Sequence, residues 1–193
     1  FQTALKHIMN LEDESVENIA FAAANGSLMG ARGNSGVILS QLLRGFANGL
    51  KGKNKANAKL LAKAFKQASD TAYKAVMKPT EGTILTVARE CANKAIQVSR
   101  NEEDIVLLFK HVVEHGNEAL NRTPEMLPVL KQAGVVDSGG MGLMVILNGA
   151  FQALNTDGEI VIDDFMKKEN VSTKVPKDMD TEKILFSYCT EFI

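Results

Sequence analysis

Three short stretches carry the residue types that bind phosphate. Gly30-Ala31-Arg32-Gly33-Asn34-Ser35-Gly36 runs into the apolar Val37-Ile38-Leu39, Lys78-Pro79-Thr80-Glu81-Gly82-Thr83 into Ile84-Leu85-Thr86-Val87, and Val135-Val136-Asp137-Ser138-Gly139-Gly140-Met141-Gly142 into Leu143-Met144-Val145. In each, a glycine-bearing loop feeds a helix. A helix N-terminus offers unpaired N–H groups and the positive end of its dipole, and glycine lets a phosphate reach the backbone. Asn34, Ser35, Asp137 and Ser138 are also natural N-caps. Glycines at a single helix end serve close packing as readily as binding; three such starts in one chain favour a shared anion site. The pattern is neither a Walker P-loop, since no Gly-Lys-Ser/Thr occurs, nor a Rossmann turn, since no strand precedes it. A nucleotide site here is of another type.

Two other constellations carry less. Asp137-Ser138-Gly139-Gly140 resembles the nucleophile segment of chymotrypsin-like proteases, but that chemistry sits on β-barrels with a His and an Asp earlier in the chain. His111-Val112-Val113-Glu114-His115 fits the His-x-x-Glu-His pattern of inverted zinc proteases. On a helical wheel His111 falls on the polar side and His115 at its margin, so a solvated face accounts for both. Cys91 reads as a small core residue, and Cys189 as either core or a ligand whose partners lie elsewhere. With two cysteines in unrelated contexts there is no disulfide scaffold and no support for a Cys-rich zinc module.

The elements that position these loops read as helices. Between the four prolines, Ala-rich segments repeat apolar residues at a 3.6-residue spacing. Leu61, Phe65, Ala68, Ala72 and Val76 share one face of a segment from Asn57 to Met77, and Ile105, Leu108, Phe109, Val112 and Ala119 share one face from Glu102 to Asn121. Further helices are expected at about 16–29, 35–48, 83–99, 125–132 and 140–154, with no strand before about residue 158. Glu159-Ile160-Val161-Ile162 is β-branched, the tract from Lys167 to Asp180 reads as a linker, and Ile184 to Ile193 reads as a first strand that breaks off. The expected organisation is a domain over 1–156, a linker over 157–182 and the start of a second domain over 183–193. A chain beginning Phe1-Gln2-Thr3 without Met reads as a fragment truncated at its N-terminus.

Composition bounds the function. The 193 residues hold 22 basic and 23 acidic side chains, a net charge of −1, with 45% hydrophobic residues. That balance supplies no field for a polyanion, which argues against a nucleic-acid binder or a membrane-surface protein. No apolar stretch approaches the roughly 20 residues of a membrane span and no signal peptide is evident, so the expected location is cytoplasmic.

Taken together, the stretches Met29 to Gln41, Ala75 to Val87 and Val129 to Gly140 closely resemble the N-terminal domain of the bacterial fatty acid kinase A subunit, within the dihydroxyacetone kinase ATP-binding (L-subunit) family. The resemblance runs in order over about residues 1–156. Tyr188-Cys189-Thr190-Glu191 is similar to the opening of that kinase's middle domain. The resemblance implies an all-α, eight-helix barrel with ATP bound at one end. It places phosphate oxygens on the Gly33-Asn34-Ser35-Gly36 turn, Gly82 and Thr83 beside the nucleotide, and Asp137, Ser138 and Gly139 closing the pocket. It also implies two Mg²⁺ ions held by an Asp-Gly-Asp-Thr-Gly motif upstream of the first stretch. This chain has no such motif: Glu12, Asp13 and Glu14 lack the spacing and read as a solvated loop. The metal ligands are therefore expected upstream of Phe1, and the 193-residue species is expected to be inactive.

The activity implied is transfer of the γ-phosphate of ATP to a fatty acid carboxylate presented by a fatty-acid-binding B subunit, giving an acyl-phosphate, with a homodimer formed through C-terminal domains. Two other readings stand beside it. One is the dihydroxyacetone (glycerone) kinase ATP-binding subunit, against which the trailing Lys183 to Ile193 argues. The other is a non-catalytic helical interaction domain whose glycines serve packing alone.

Overall fold

The structure is a computed structural model that describes residues 2–13 and 15–156. The linker, the β-branched Glu159 to Ile162 stretch and the second-domain segment inferred above, including Cys189, lie outside the described residues, as does Glu14. Among the described residues the fold is all-α, with α1 (Gln2–Met9), α2 (Val16–Gly30), α3 (Gly33–Gly49), α4 (Ala58–Ala75), α5 (Ile84–Val98), α6 (Ile105–Asn121), α7 (Thr123–Met126), α8 (Pro128–Ala133) and α9 (Ser138–Asn155). None of these helices is long and apolar enough to cross a membrane.

Local chemistry sets most of the boundaries. Ser15, Asn57, Asp104 and Asp137 cap α2, α4, α6 and α9 through their side-chain oxygens. The single helix expected over 125–132 is two, α7 and α8. Pro128 follows Leu127 and drives it to an extended backbone (φ −121°, ψ 111°), which no helix continues through. Helix α1 was not expected at all. Its anchor is long-range: Ala4 is buried against Gly26, where a Cβ would sit 2.6 Å from the Ala4 Cα.

The helices pack in chain order from α1 to α6, and α9 returns to lie against both α5 and α6. The small residues allow close approach. At Gly45 and Gly49 of α3 a Cβ would meet the backbone of Ala68 and Ala64 in α4 at 2.7 and 2.6 Å. Phe46, Phe65 and Phe109 stack edge-to-face, with centroids 5.3 and 5.6 Å apart, and tie α3, α4 and α6 together. A narrow apolar cleft of about 70 Å³ lies between α3, α4, α5 and α9, lined by residues such as Leu42, Phe65, Cys91 and Leu147. It is far below the roughly 300–1,000 Å³ of a ligand pocket.

Candidate functional site

Besides the short α7 and α8, two of the longer helices, α3 and α5, leave their first turns uncapped. Their N-cap residues, Arg32 and Thr83, make no side-chain cap hydrogen bond. The Thr83 hydroxyl donates instead to the Thr80 carbonyl at 2.8 Å. The first-turn N–H groups of both helices therefore have no side-chain acceptor, in contrast to α2, α4, α6 and α9; those of α3 belong to the exposed Gly33, Asn34 and Ser35, whereas Ile84, Leu85 and Thr86 of α5 are buried.

The same two helix starts meet the start of α9. A Cβ at Gly139, the second residue of α9, would lie 3.2 Å from Asp137 Oδ2, 3.3 Å from Ile84 Cβ and 3.4 Å from Ser35 Oγ. Ser35 belongs to the first turn of α3 and Ile84 opens α5. Residues from all three glycine stretches thus meet at one point, and the missing side chain of Gly139 is what allows so close an approach. Gly33, Asn34, Ser35 and Ser138 are exposed there, while Gly36, Thr83, Asp137 and Gly139 are half-buried. Gly33 has φ +63°, and no atom lies within 4 Å of the Cβ it lacks.

Gly82 plays a different part. It is buried at φ +82°, and a Cβ would meet Met126 Cβ at 2.9 Å, Leu127 Cγ at 3.0 Å and the Thr123 carbonyl at 3.1 Å. Its bare face is turned to α7 and its junction with α8. Buried threonines brace the turns on either side. The Gly82 N–H donates to Thr86 Oγ1 at 2.8 Å, and the Asp137 N–H donates to Thr123 Oγ1 at 3.1 Å. Thr86 and Thr123 are both fully buried.

The second turn also carries a polar network that sequence reasoning missed. Glu81 Oε2 accepts from Thr86 Oγ1 at 2.8 Å, while Oε1 accepts from Arg89 Nη1 and from the Tyr73 hydroxyl at 3.2 Å. The Arg89 hydrogen bond holds the Glu81 carboxyl below the ordinary glutamate value, and burial raises the Tyr73 phenol. One signal was readable: Thr86 and Arg89 stand i, i+3 on the helix that follows Glu81.

The phosphate chemistry fits this arrangement. Uncapped N–H groups and the Ser35 hydroxyl are donors of the kind that phosphate oxygens accept from. A divalent cation does not fit the described residues by themselves. They contain no group of three or more His, Cys, Asp or Glu side chains able to hold a metal ion, and Asp137 Oδ2 already accepts from the Gly140 N–H at 2.7 Å as the cap of α9. Asp13 is likewise engaged at the start of α2, accepting from the Ser15 N–H at 2.9 Å and from Asn18 Nδ2 at 2.6 Å.

The remaining sequence candidates are structural. His111 is exposed beside Glu114, and His115 is half-buried between Glu90 and Glu118. Cys91 is buried beneath Gly116 and Met144, and desolvation pushes its thiol up to about 12, so it is inert as a nucleophile at neutral pH.

Against known proteins, residues 1–152 match the family model of the DAK2 domain. The chain is similar to uncharacterized proteins of Staphylococcus aureus strains USA300, NCTC 8325 / PS 47 and COL. Each is 43% identical over 194 residues, which covers 97% of this chain and 35% of the relative. The chain therefore spans about a third of the length of the curated relatives it matches.

Proposed function

The chain belongs to the DAK2 domain family, a kinase-associated family, and from that premise we propose that it is the ATP-binding part of a kinase that phosphorylates a fatty acid carboxylate. The observation that supports the reading is the close meeting of Ser35, Ile84 and Gly139, one residue from each glycine stretch. In it, the first-turn N–H groups of α3 and α5 and the Ser35 hydroxyl donate to phosphate oxygens, and Asn34, Gly36, Thr83 and Ser138 line the approach. The helix dipoles offset part of the phosphate charge. A carboxylate oxygen of the acceptor forms the new bond to the γ-phosphorus, the bridge to the β-phosphate breaks, and ADP leaves with the electron pair.

Mg²⁺, when bound, neutralises charge on the phosphates. Carboxylates outside the described residues would hold it. The reading takes in the domain organisation inferred from the sequence, a separate fatty-acid-binding B subunit as partner, a homodimer through C-terminal domains and a cytoplasmic location. The resemblance of the three stretches to the fatty acid kinase A subunit supports it over the dihydroxyacetone kinase alternative.

The test is acceptor choice by the full-length protein. With ATP, Mg²⁺ and a fatty acid carried by its binding subunit, acyl-phosphate should form and be trapped by hydroxylamine as a hydroxamate. Phosphate appearing on dihydroxyacetone instead, with none on the fatty acid, would overturn the acyl assignment. No consumption of ATP with either acceptor would overturn the kinase reading.

A further inference from the structure

The Glu81 network lies beside the proposed nucleotide site rather than in it. The carboxylate joins three elements: Tyr73 near the end of α4, the turn before α5, and Thr86 and Arg89 within α5. The Arg89 guanidinium is itself held, donating to the Tyr73 hydroxyl at 3.0 Å and to Glu90 Oε1 at 3.3 Å, with its carbon 5.8 Å from the centroid of the Tyr73 ring.

As an ion pair alone this arrangement would matter little. The Arg89 and Glu81 side chains are 36% and 50% exposed, and such pairs contribute about 0–1 kcal/mol. Its position gives it a second consequence. Glu81 immediately precedes Gly82, whose left-handed backbone sets the direction in which the chain enters α5. Thr86 Oγ1 links the two, accepting from the Gly82 N–H and donating to Glu81 Oε2. The carboxylate, the buried hydroxyl and the Gly82 amide therefore form one chain of hydrogen bonds that fixes the turn. That turn ends at Thr83, and beyond it stand the uncapped N–H groups of α5. With no cap to orient them, those donors take their direction from the turn and from the packing of α5 on its neighbours.

We propose that Glu81, Arg89 and Tyr73 are positioning residues for the nucleotide: they clamp the Glu81-Gly82-Thr83 turn so that the first-turn N–H groups of α5 are aimed at the phosphates before ATP arrives. None of the three touches the phosphates. Their effect is pre-organisation, which lowers the cost of ordering the turn on binding. The clamp rests on the nucleotide site proposed above and deepens it. The lowered pKa of Glu81 agrees with a carboxylate charged and hydrogen-bonded throughout the neutral range.

The test uses the full-length protein in four forms: wild type, Arg89→Ala, Arg89→Lys and Ser35→Ala. Steady-state kinetics give the KM for ATP, the KM for the acceptor and kcat, each measured well below the melting temperature of the variant. Arg89→Ala should raise the ATP KM roughly ten-fold and leave the acceptor KM unchanged. Arg89→Lys keeps the charge beside Glu81 and should recover most of the loss. A merely stabilising ion pair would lower the melting temperature of Arg89→Ala and leave the ATP KM at the wild-type value, which overturns the clamp. If Ser35→Ala raises the ATP KM in that same experiment, the nucleotide site stands without the clamp; if neither variant moves it, both fall. Should Arg89→Ala not fold, Tyr73→Phe removes one donor from Glu81 with little change of shape. It should raise the ATP KM alone, and a wild-type value there overturns the proposal.

Discussion

Replacing Gly82 by alanine measures how tightly the second turn is held. The residue sits at φ +82°, and a left-handed backbone costs an L-residue about 1–2 kcal/mol. The added methyl would also stand 2.9 Å from Met126 Cβ, 3.0 Å from Leu127 Cγ and 3.1 Å from the Thr123 carbonyl oxygen. Neither a Cβ nor a backbone carbonyl moves as cheaply as the end of a long side chain, and overpacking of this kind adds about 1–3 kcal/mol. The expected loss is about 2–5 kcal/mol, the range of those two contributions together. Gly33→Ala is the matched comparison. It has φ +63° but open space around the missing Cβ, so it bears the backbone cost alone, about 1–2 kcal/mol. Urea unfolding followed by far-UV circular dichroism separates the two, provided the m-values agree. Equal losses for the two variants, or a Gly82→Ala protein as stable as wild type, would refute the assignment of Gly82 to a close approach between the turn and the α7–α8 junction.

Four further outcomes follow from the same contacts. Thr86→Val, nearly isosteric, leaves the buried Gly82 N–H without its acceptor and should cost about 1–3 kcal/mol in the same unfolding assay. Gly139→Ala should stay within about 1 kcal/mol of wild type, because the helical gain of alanine over glycine offsets contacts of 3.2–3.4 Å. Its methyl would stand where the three helix starts meet, so calorimetry on the full-length protein should show ATP binding weakened at least roughly ten-fold. Cys91, with its thiol pushed up to about 12 and buried, should resist alkylation at pH 8 in a Cys189→Ser background until the protein is unfolded; labelling of the native protein would contradict the burial. Glu81 titrates below its ordinary value of 4.5, so its contribution to stability is complete above that value and is lost as pH falls through the lowered one. The stability difference between wild type and Glu81→Gln should therefore be largest near neutrality and shrink as the pH falls below 4.5, and a pH-independent difference would rule out the charged clamp.

The helices legible in the sequence were those with one apolar face. Leu61, Phe65, Ala68 and Ala72 on α4, and Leu108, Phe109, Val112 and Ala119 on α6, are buried as their spacing required. Residues Val76 and Ile105, at the margins of those faces, are half-buried. Helix α1 went unread although Ala4, Leu5 and Ile8 give it an apolar side, because eight residues are a short run for a periodic signal. The split between α7 and α8 was encoded by Pro128 and went unread. At the site, the glycine stretches announced three helix starts, but their meeting at Gly139 depends on how α9 returns to α5, which is a property of topology. The Glu81 clamp was hidden for a related reason: Tyr73, Thr86 and Arg89 each pass for an ordinary polar residue on a helix until α4 and α5 are placed side by side.

The central claim is that the starts of α3, α5 and α9 together hold the phosphates of ATP. Thermal unfolding of the full-length protein with and without ATP and Mg²⁺ tests it most directly, with Gly139→Ala run in parallel. At about 100 times the Kd, the nucleotide should stabilise the wild-type protein by roughly 2.7 kcal/mol and leave Gly139→Ala nearly unmoved. An unshifted wild-type transition, or an equal shift in Gly139→Ala, would mean that the three glycine stretches serve packing and that the nucleotide, if bound, sits elsewhere.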